Sequence, residues 1–548
     1  MATITGSEVL AQSLKSQGTD TLFYLMGGPM LETEAACIAL GIRAIDHRHE
    51  QAAALAAHAW ARVTRRPGVC MGCSGPGATN LLTGVANAFT DAAPLVAIGG
   101  SSPRVFLGME AFQEIDQVAV FRPVTKWAER IYDAKRIPDM VQTAFRQATT
   151  GRPGPVYLDL PGDILGEKVE ESSIVYPPAW RPAPRTLGDP GAIREAIALL
   201  ARAERPVVIA GSGVWWSDGA AALQAFVEAA GIPFYTTPIS RGLIPEDHAL
   251  AFLNARSKAF SEADVVLAVG TRFNWVIQFG RPPRFAAELK VIHVDVNPTQ
   301  LGHNRDVDVP IAGDARAVLG QLVAEAQGKI DPKRYNAWVG KLRVLDGEKM
   351  AEQDKAMSSD ATPIHPLRLC KEVRDFLRRD AILVVDGQEI LNFGRQAIPT
   401  FSPGHRLNSG AFGCMGVGLP FGVGAKVAKP DAQVVVLHGD GSFGINAMDI
   451  DTAVRHKIPV IVVISNNGGW TADAPWTRPL PKPGRNLGHT RYDKIAQDLG
   501  AHGEFVEKPH DIRPALERAA ASGKPAVVNV ITDHKARAQT VRFSAYTT

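Results

Sequence analysis

Two short segments place oxygen ligands at the ends of strongly apolar runs. The run VVVLHG ends in Gly439-Asp440-Gly441-Ser442. After one helical pattern, the run IPVIVVIS ends in Asn466-Asn467-Gly468-Gly469-Trp470. Asp440 and Asn467 both offer hard oxygen atoms, and Mg²⁺ takes octahedral oxygen from one or two carboxylates together with ligand phosphates. Gly441 and Ser442 stand where a helix should begin, so their backbone N–H groups suit a diphosphate. A Gly-Asp-Gly alone is weak and could be an ordinary turn. Its coupling to an Asn-Asn closing the next strand makes the pattern specific for a metal-held diphosphate.

Such residues need a sheet to carry them. The chain has 548 residues, 45% hydrophobic and 21% charged, which suggests about three domains. Lys plus Arg number 59 against 56 Asp plus Glu, so there is no basic excess for nucleic acid or a membrane surface. No run reaches the roughly 20 apolar residues of a membrane span. The first residues lack a signal-peptide pattern, so a cytoplasmic protein is expected. Five cysteines make no disulfide framework. The Cys70–Cys73 pair lies in an apolar run, PGVCMGC, and reads as core rather than as a metal or redox site.

Two proline-rich or charged connectors, 176–190 and about 329–366, divide the chain into units 1–175, 190–328 and 363–532, with a tail 533–548. Within each unit, short apolar runs alternate with helical patterns: Thr21 to Leu25, Gly68 to Cys73 and Leu95 to Ile98; then PVVIAGSG, ADVVLAVG and KVIHVDV; then AILVVDG, AQVVVLHGDG and IPVIVVISNN. The expected fold class is α/β, with three doubly wound parallel-sheet domains. The first and last units share size and pattern, as structural repeats would.

The Asp440/Asn467 pair resembles the signature of thiamine-diphosphate enzymes, and the resemblance covers nearly the whole chain as pyrimidine-binding, central and diphosphate-binding domains. HRHEQAAALAAHAWAR and SGPGATNLLTGVANAFTDAAPLVAIGG resemble the acetolactate-synthase group. The resemblance implies that Glu50 hydrogen-bonds the aminopyrimidine N1′ and so promotes loss of the cofactor C2 proton, acid–base work worth ~10²–10⁴-fold. It assigns Pro76, Asn80, Gln388, Gly441, Ser442 and Trp470 to the cofactor and adds Gly469 to the Mg²⁺ ligands. From SGAFGCMGVGLP it takes Met415 as an apolar wedge under the bent cofactor and the Gly413 carbonyl as acceptor for the 4′-amino group. It further implies at least a homodimer, and a homotetramer is expected.

AFQEIDQV, Ala111 to Val118, resembles the active-site loop of acetolactate synthases, oxalyl-CoA decarboxylases and 2-hydroxyacyl-CoA lyases, which puts Gln113 near substrate. The tail HKARAQTVRFSAYTT, with Arg537, Arg542 and aromatics, suits the phosphates and adenine of coenzyme A and resembles a segment that closes over acyl-CoA. Asn392 and Arg395 occupy the place of the nucleotide arm. The segment after Trp470, TADAPWTRPLPKPGRNLGH, reads as a gating loop. In the central unit, GTRFN, HVDVNP and AGDAR resemble a dinucleotide pocket in which Arg272, Asp295 and Asp314 would hold ADP. An ADP-like nucleotide or an empty pocket is favoured over FAD. The expectation is a lyase that splits 2-hydroxyacyl-CoA, in particular 2-hydroxyisobutyryl-CoA, into formyl-CoA and a ketone or aldehyde. Oxalyl-CoA decarboxylase, an acetolactate-synthase-like carboligase and a non-catalytic nucleotide-binding homologue are the alternatives.

Overall fold

In the computed structural model, residues 2–180, 184–470 and 483–538 are described. Three parallel sheets carry the fold, beside a two-stranded antiparallel pair, Thr3–Thr5 with Lys168–Glu170. The first has six strands in the order Arg43–Asp46, Thr21–Tyr24, Gly68–Gly72, Leu95–Ser101, Pro155–Pro161, Ala128–Arg130. The central sheet has five: Phe234–Thr236, Pro206–Ala210, Val265–Val269, Lys290–Asp295, Val309–Ala312. The last has six: Arg406–Leu407, Ile382–Asp386, Val434–Gly439, Ile461–Asn466, Ala526–Ile531, His502–Val506. Every pairing in these three sheets is parallel.

The inner strands are short, largely apolar runs buried on both faces, which is why they read as unbroken apolar stretches rather than alternating ones, while outer strands such as Val309–Ala312 and His502–Val506 are partly exposed. The first and last sheets have the same topology. In each, the first strand in the chain lies inside and the second on the edge beside it, while the fifth and sixth are exchanged. The repeat expected from the sequence pattern is therefore present in the connectivity.

This topology dictates where ligands go. In an open α/β sheet they bind beyond the carboxyl ends of the strands where the order reverses. In the last sheet the reversal lies between Ile382–Asp386 and Val434–Gly439, and in the first between Thr21–Tyr24 and Gly68–Gly72. The residues that follow are Gly387-Gln388 with Asp440, and Gly27–Pro29 with Cys73-Ser74.

The two outer domains meet through equivalent helices, Glu50–Thr64 and Gly418–Ala428. The first is alanine-rich, buried along nearly its whole length, and stopped by Arg65 in the left-handed region at φ 61°. A methyl group on Gly424 would lie 2.1 Å from the Ala56 carbonyl oxygen, so the two backbones touch there. The charged second connector forms the helix Asn336–Met357, which buries only Trp338, Val339, Leu342 and Met357. Among the described residues no helix is long and apolar enough to cross a membrane.

Candidate active site

The cleft at the reversal point of the last sheet is lined by Gln388, Met415, Gly439 to Ser442, Ser465, Asn467, Gly469, Trp470 and Ala536. The sequence-expected residues Gln388, Met415, Asp440, Gly441, Ser442, Asn467, Gly469 and Trp470 thus converge on one place. The Trp470 ring lies across Gly441, where an added methyl would sit 3.0 Å from three ring atoms. Gly413, at φ 71°, is exposed two residues before Met415.

The oxygen atoms here match a cation. As placed, the Asn467 side-chain oxygen is 3.1 Å from Asp440 Oδ1 and 2.9 Å from the Gly469 carbonyl oxygen, with no proton between them. A reversed amide would donate to both oxygens, whereas with the amide as placed the three acceptors repel one another unless a cation sits among them. Asp440 Oδ2 is buried without a hydrogen bond, and burial pushes the carboxyl up to about 6. A divalent cation would remove that penalty. Asp440, Asn467 and Gly469 therefore suit an oxygen-loving metal, with phosphate oxygens to complete the shell.

Several residues that the sequence reading passed over hold this cleft in shape. Asp386 is buried and accepts from Gly387 N at 2.7 Å and Gly418 N at 2.9 Å, fixing the turn after Met415. His438 Nε2 accepts from Leu419 N at 3.2 Å, so its Nδ1 carries the proton and donates to Ser442 Oγ at 2.8 Å. The Ser442 hydroxyl in turn donates to Gly439 O at 3.1 Å. Asn466 is buried; its amide donates to Thr490 O and Asn529 Oδ1, and its oxygen accepts from Gly468 N and faces His489 Nδ1.

The second cleft, about 690 Å³, lies at the reversal point of the first sheet. It is lined by Gly27 to Pro29, Cys73, Ser74, Ser101, Ser102, Phe106, Met109, Phe112 and Gln113, among others. Glu50 is buried at the start of its helix beside it. Glu50 Oε2 accepts from Asn80 Nδ2 at 3.0 Å, and its Oε1 faces Gly77 across from the Cys73 thiol. Burial and the Glu50 charge raise the Cys73 pKa, so it stays a neutral thiol. Cys70 is buried in its strand, and both cysteines are free. Pro76 opens the helix Pro76–Asp91, which carries Asn80. Gln113 has φ 60°, a left-handed conformation unusual for glutamine.

The remaining expected residues divide. Asn392 is buried on the helix Glu389–Ala397, and Arg395 follows three residues later at its surface. Arg395 stands among Arg256 and Arg284 of the central domain, which the sequence reading missed because nothing local marks them. Burial, reinforced by Arg284 and Arg395, pushes the Arg256 guanidinium down to about 9. Arg256 and Arg284 both lie over the Phe260 ring, at 5.2 and 5.4 Å from its centroid. Arg537 turns back to donate to His534 O and Ala536 O. Arg542 and the tail beyond residue 538 lie outside the described residues, as does 471–482 of the expected gating loop. Where described, that segment pairs back on the metal turn, with Trp470 N donating to Arg485 O and Leu487 N to Gly468 O.

In the central domain, Arg272 and Asp295 lie together with Arg152, which the sequence reading did not name. Arg272 donates to Thr90 O. Asp314 instead caps the helix Ala315–Ala326, accepting from Ala317 N at 3.1 Å, and pairs with Arg185 at 3.4 Å. Trp215, on the short helix Ser212–Trp216 that follows the strand Pro206–Ala210, donates from Nε1 to Arg62 O at 2.9 Å, and its ring packs on Gly404.

Comparison with known proteins finds three matches to one enzyme family along the chain. Residues 4–120 match the family described as thiamine pyrophosphate enzyme, N-terminal TPP binding domain. Residues 193–322 match the central domain of that family and 391–530 its C-terminal TPP binding domain. The chain is 38% identical to an acetolactate synthase large subunit of Mycobacterium tuberculosis, covering 97% of this chain and 96% of the relative. It is 35% identical to a 2-hydroxyacyl-CoA lyase of Arabidopsis thaliana, over 98% and 97%. It is 34% identical to the oxalyl-CoA decarboxylase of Escherichia coli K12, over 96% and 95%.

Proposed function

The chain belongs to the thiamine pyrophosphate enzyme family, and within it we propose a lyase that cleaves 2-hydroxyacyl-CoA, with 2-hydroxyisobutyryl-CoA as the substrate of choice, to formyl-CoA and a ketone or aldehyde. The observation that carries the acyl-CoA part is the group Arg256, Arg284 and Arg395. Among the described residues no carboxylate pairs with any of the three, whereas neighbouring Arg241 is neutralised by Glu246. Three guanidiniums gathered with no carboxylate among them suit an anion, and coenzyme A brings phosphates that Arg binds well. Pyruvate, the small substrate of a carboligase, has no use for such a cluster.

The cofactor, when bound, supplies a carbon nucleophile for the thioester carbonyl and a sink for the electron pair of the breaking C1–C2 bond. The chain's residues do the rest. Asp440, Asn467 and Gly469 would hold Mg²⁺ with the diphosphate, Gln388, Gly441 and Ser442 would line it, and Met415 would support the cofactor. Glu50, held by Asn80, would take part in its acid–base chemistry at the aminopyrimidine. Gln113 would meet substrate oxygen. One cleft is lined wholly from residues 27–162 and the other from 366–536. We therefore take the working unit as a homodimer in which the cofactor bridges the first domain of one chain and the last domain of its partner.

The test is a product assay with thiamine diphosphate and Mg²⁺ on 2-hydroxyisobutyryl-CoA, oxalyl-CoA and pyruvate in parallel. Formyl-CoA with acetone from the first supports the lyase. Carbon dioxide from either of the others, with nothing from the first, overturns the substrate and keeps the family. Arg395→Ala should raise KM for acyl-CoA about 10-fold or more, the worth of one charge-assisted contact, and leave cofactor affinity unchanged. An unchanged KM would remove the cluster from the substrate.

A further inference from the structure

The strand end at Cys73-Ser74 and the segment that carries Gln113 are joined by a second glutamine, Gln117, whose side chain is fully engaged. Gln117 is 1% exposed and opens the short helix Gln117–Phe121. Its Oε1 accepts from Gly75 N at 2.7 Å. Its Nε2 donates to Gly100 O at 2.9 Å and Asp159 Oδ1 at 2.7 Å, with Tyr157 Oη at 2.9 Å. Reversing the amide would set its oxygen against a carbonyl and a carboxylate, so the orientation is fixed by its partners. Asp159 is itself buried, takes Ser101 Oγ at 2.9 Å and pairs with Arg130. Tyr157 stacks on Phe121 of the same short helix, with centroids 3.9 Å apart.

What this amide grips is strained backbone. Gly75 has φ 55° and ψ −107°, and a methyl group there would meet Gln113 Cβ and Gln113 O at 2.7 Å. Gln113 is also left-handed. Ser74, buried, donates its hydroxyl to Gln113 Oε1 at 2.5 Å. Two and five residues after Gly75, Gly77 and Asn80 face Glu50.

We infer that Ser74 and Gln117 are positioning residues that lock Gln113 against the Gly75 turn and turn its amide so that the N–H group, not the oxygen, is offered to substrate. The inference rests on the functional reading above for the identity of that substrate. Its chemical content is that Gln113 donates to a substrate oxygen, the thioester carbonyl or the 2-hydroxyl oxygen, and does not accept the hydroxyl proton. Misplacement of a substrate-orienting group by about 1 Å can cost on the order of 10²-fold, so the clamp is worth that much to turnover.

The experiment has a part that needs no substrate. Amide hydrogen exchange on the holoenzyme should show slow exchange for the peptide covering 74–80. Exchange there should speed up in Gln117→Met, with the last domain unchanged. Equal exchange in variant and wild type overturns the clamp. Should Gln117→Met not fold, Ser74→Ala, which removes one hydroxyl, carries the kinetic part. Either variant should lose about 10- to 100-fold in kcat while thiamine diphosphate affinity stays within about threefold; an unchanged kcat overturns the inference. The polarity is read from Gln113→Glu. It should be as poor as Gln113→Ala at pH 8 and recover only as the pH falls towards the ordinary glutamic acid pKa of about 4.3, where the carboxyl regains an O–H donor. Wild-type activity of Gln113→Glu at pH 8 overturns the donor assignment. A wild-type protein that turns over no acyl-CoA sinks the functional reading alone, because the exchange measurement still scores the clamp.

Discussion

Glu50 is the residue whose chemistry depends most on one proton. Its Oε2 is held by Asn80, and its Oε1 faces the thiol of Cys73 across Gly77. Glu50→Gln keeps the shape and the Asn80 neighbour but cannot trade a proton with the aminopyrimidine. Turnover should fall by ~10²–10⁴-fold, with the melting temperature and oligomer size of the wild type. The check is single-turnover kinetics beside differential scanning calorimetry; near-normal turnover would remove Glu50 from the acid–base step. Asp440 and Asn467 stand out in the sequence because they close strong apolar runs, where ligands of an α/β sheet gather, whereas Glu50 is singled out only by the resemblance of the segment HRHEQAAALAAHAWAR. Gln117, Asp386, Arg256 and Arg284 are marked by neither. Their partners come from other parts of the chain, and only the fold brings them together.

The helix pair Glu50–Thr64 and Gly418–Ala428 shows how an element carries a site. Glu50 begins the first helix, and Met415 stands three residues before the second. Their spacing therefore sets part of the geometry of each half-site. His58 of the first helix meets the Phe421 ring edge-on at 5.1 Å, and Gly424 touches the backbone at Ala56. Gly424→Ala sets two effects against each other. Alanine is better than glycine by about 1 kcal/mol inside a helix. The added methyl, however, would stand 2.1 Å from a carbonyl oxygen that belongs to a packed helix and cannot swing aside. Overpacking of this sort costs about 1–3 kcal/mol, so sterics win and the variant should be less stable. Urea denaturation gives the sign directly. A more stable variant would mean that the helices separate easily, and the seam would then not be what spaces Glu50 and Met415. The alanine run announced a tightly packed helix, but nothing in the sequence named its partner. That partner follows from the shared topology of the two outer sheets, where equivalent helices meet.

At the scale of the whole molecule, one buried ion pair joins all three domains to the segment that carries Gly413 and Met415. Arg62, 1% exposed, donates to Asn408 O at 2.7 Å and Arg406 O at 3.3 Å and lies 3.4 Å from Asp91. Its own carbonyl accepts from Trp215 of the central domain. Asp91 accepts from Ala411 N at 3.2 Å, and Ala411 O accepts from Trp275 Nε1 at 2.8 Å. Burial pushes the Asp91 carboxyl up to about 6 even with Arg62 beside it, so the cation is what makes the charge tolerable. Arg62→Met should therefore cost about 3–5 kcal/mol, because it leaves a carboxylate buried and unpaired. The double variant Arg62→Met with Asp91→Asn should recover a substantial part of that loss, since it removes the stranded charge while keeping an acceptor for Ala411 N. Both should bind thiamine diphosphate more weakly, for 408–411 leads directly into Gly413 and Met415, the residues we propose for the cofactor. Urea unfolding of the two variants, with a cofactor titration on each, separates the effects. If the double variant is no more stable than the single one, the loss comes from the carbonyl contacts at 406 and 408 and not from the charge. If cofactor affinity stays at the wild-type level in both, the network braces the three domains without setting the geometry of the site.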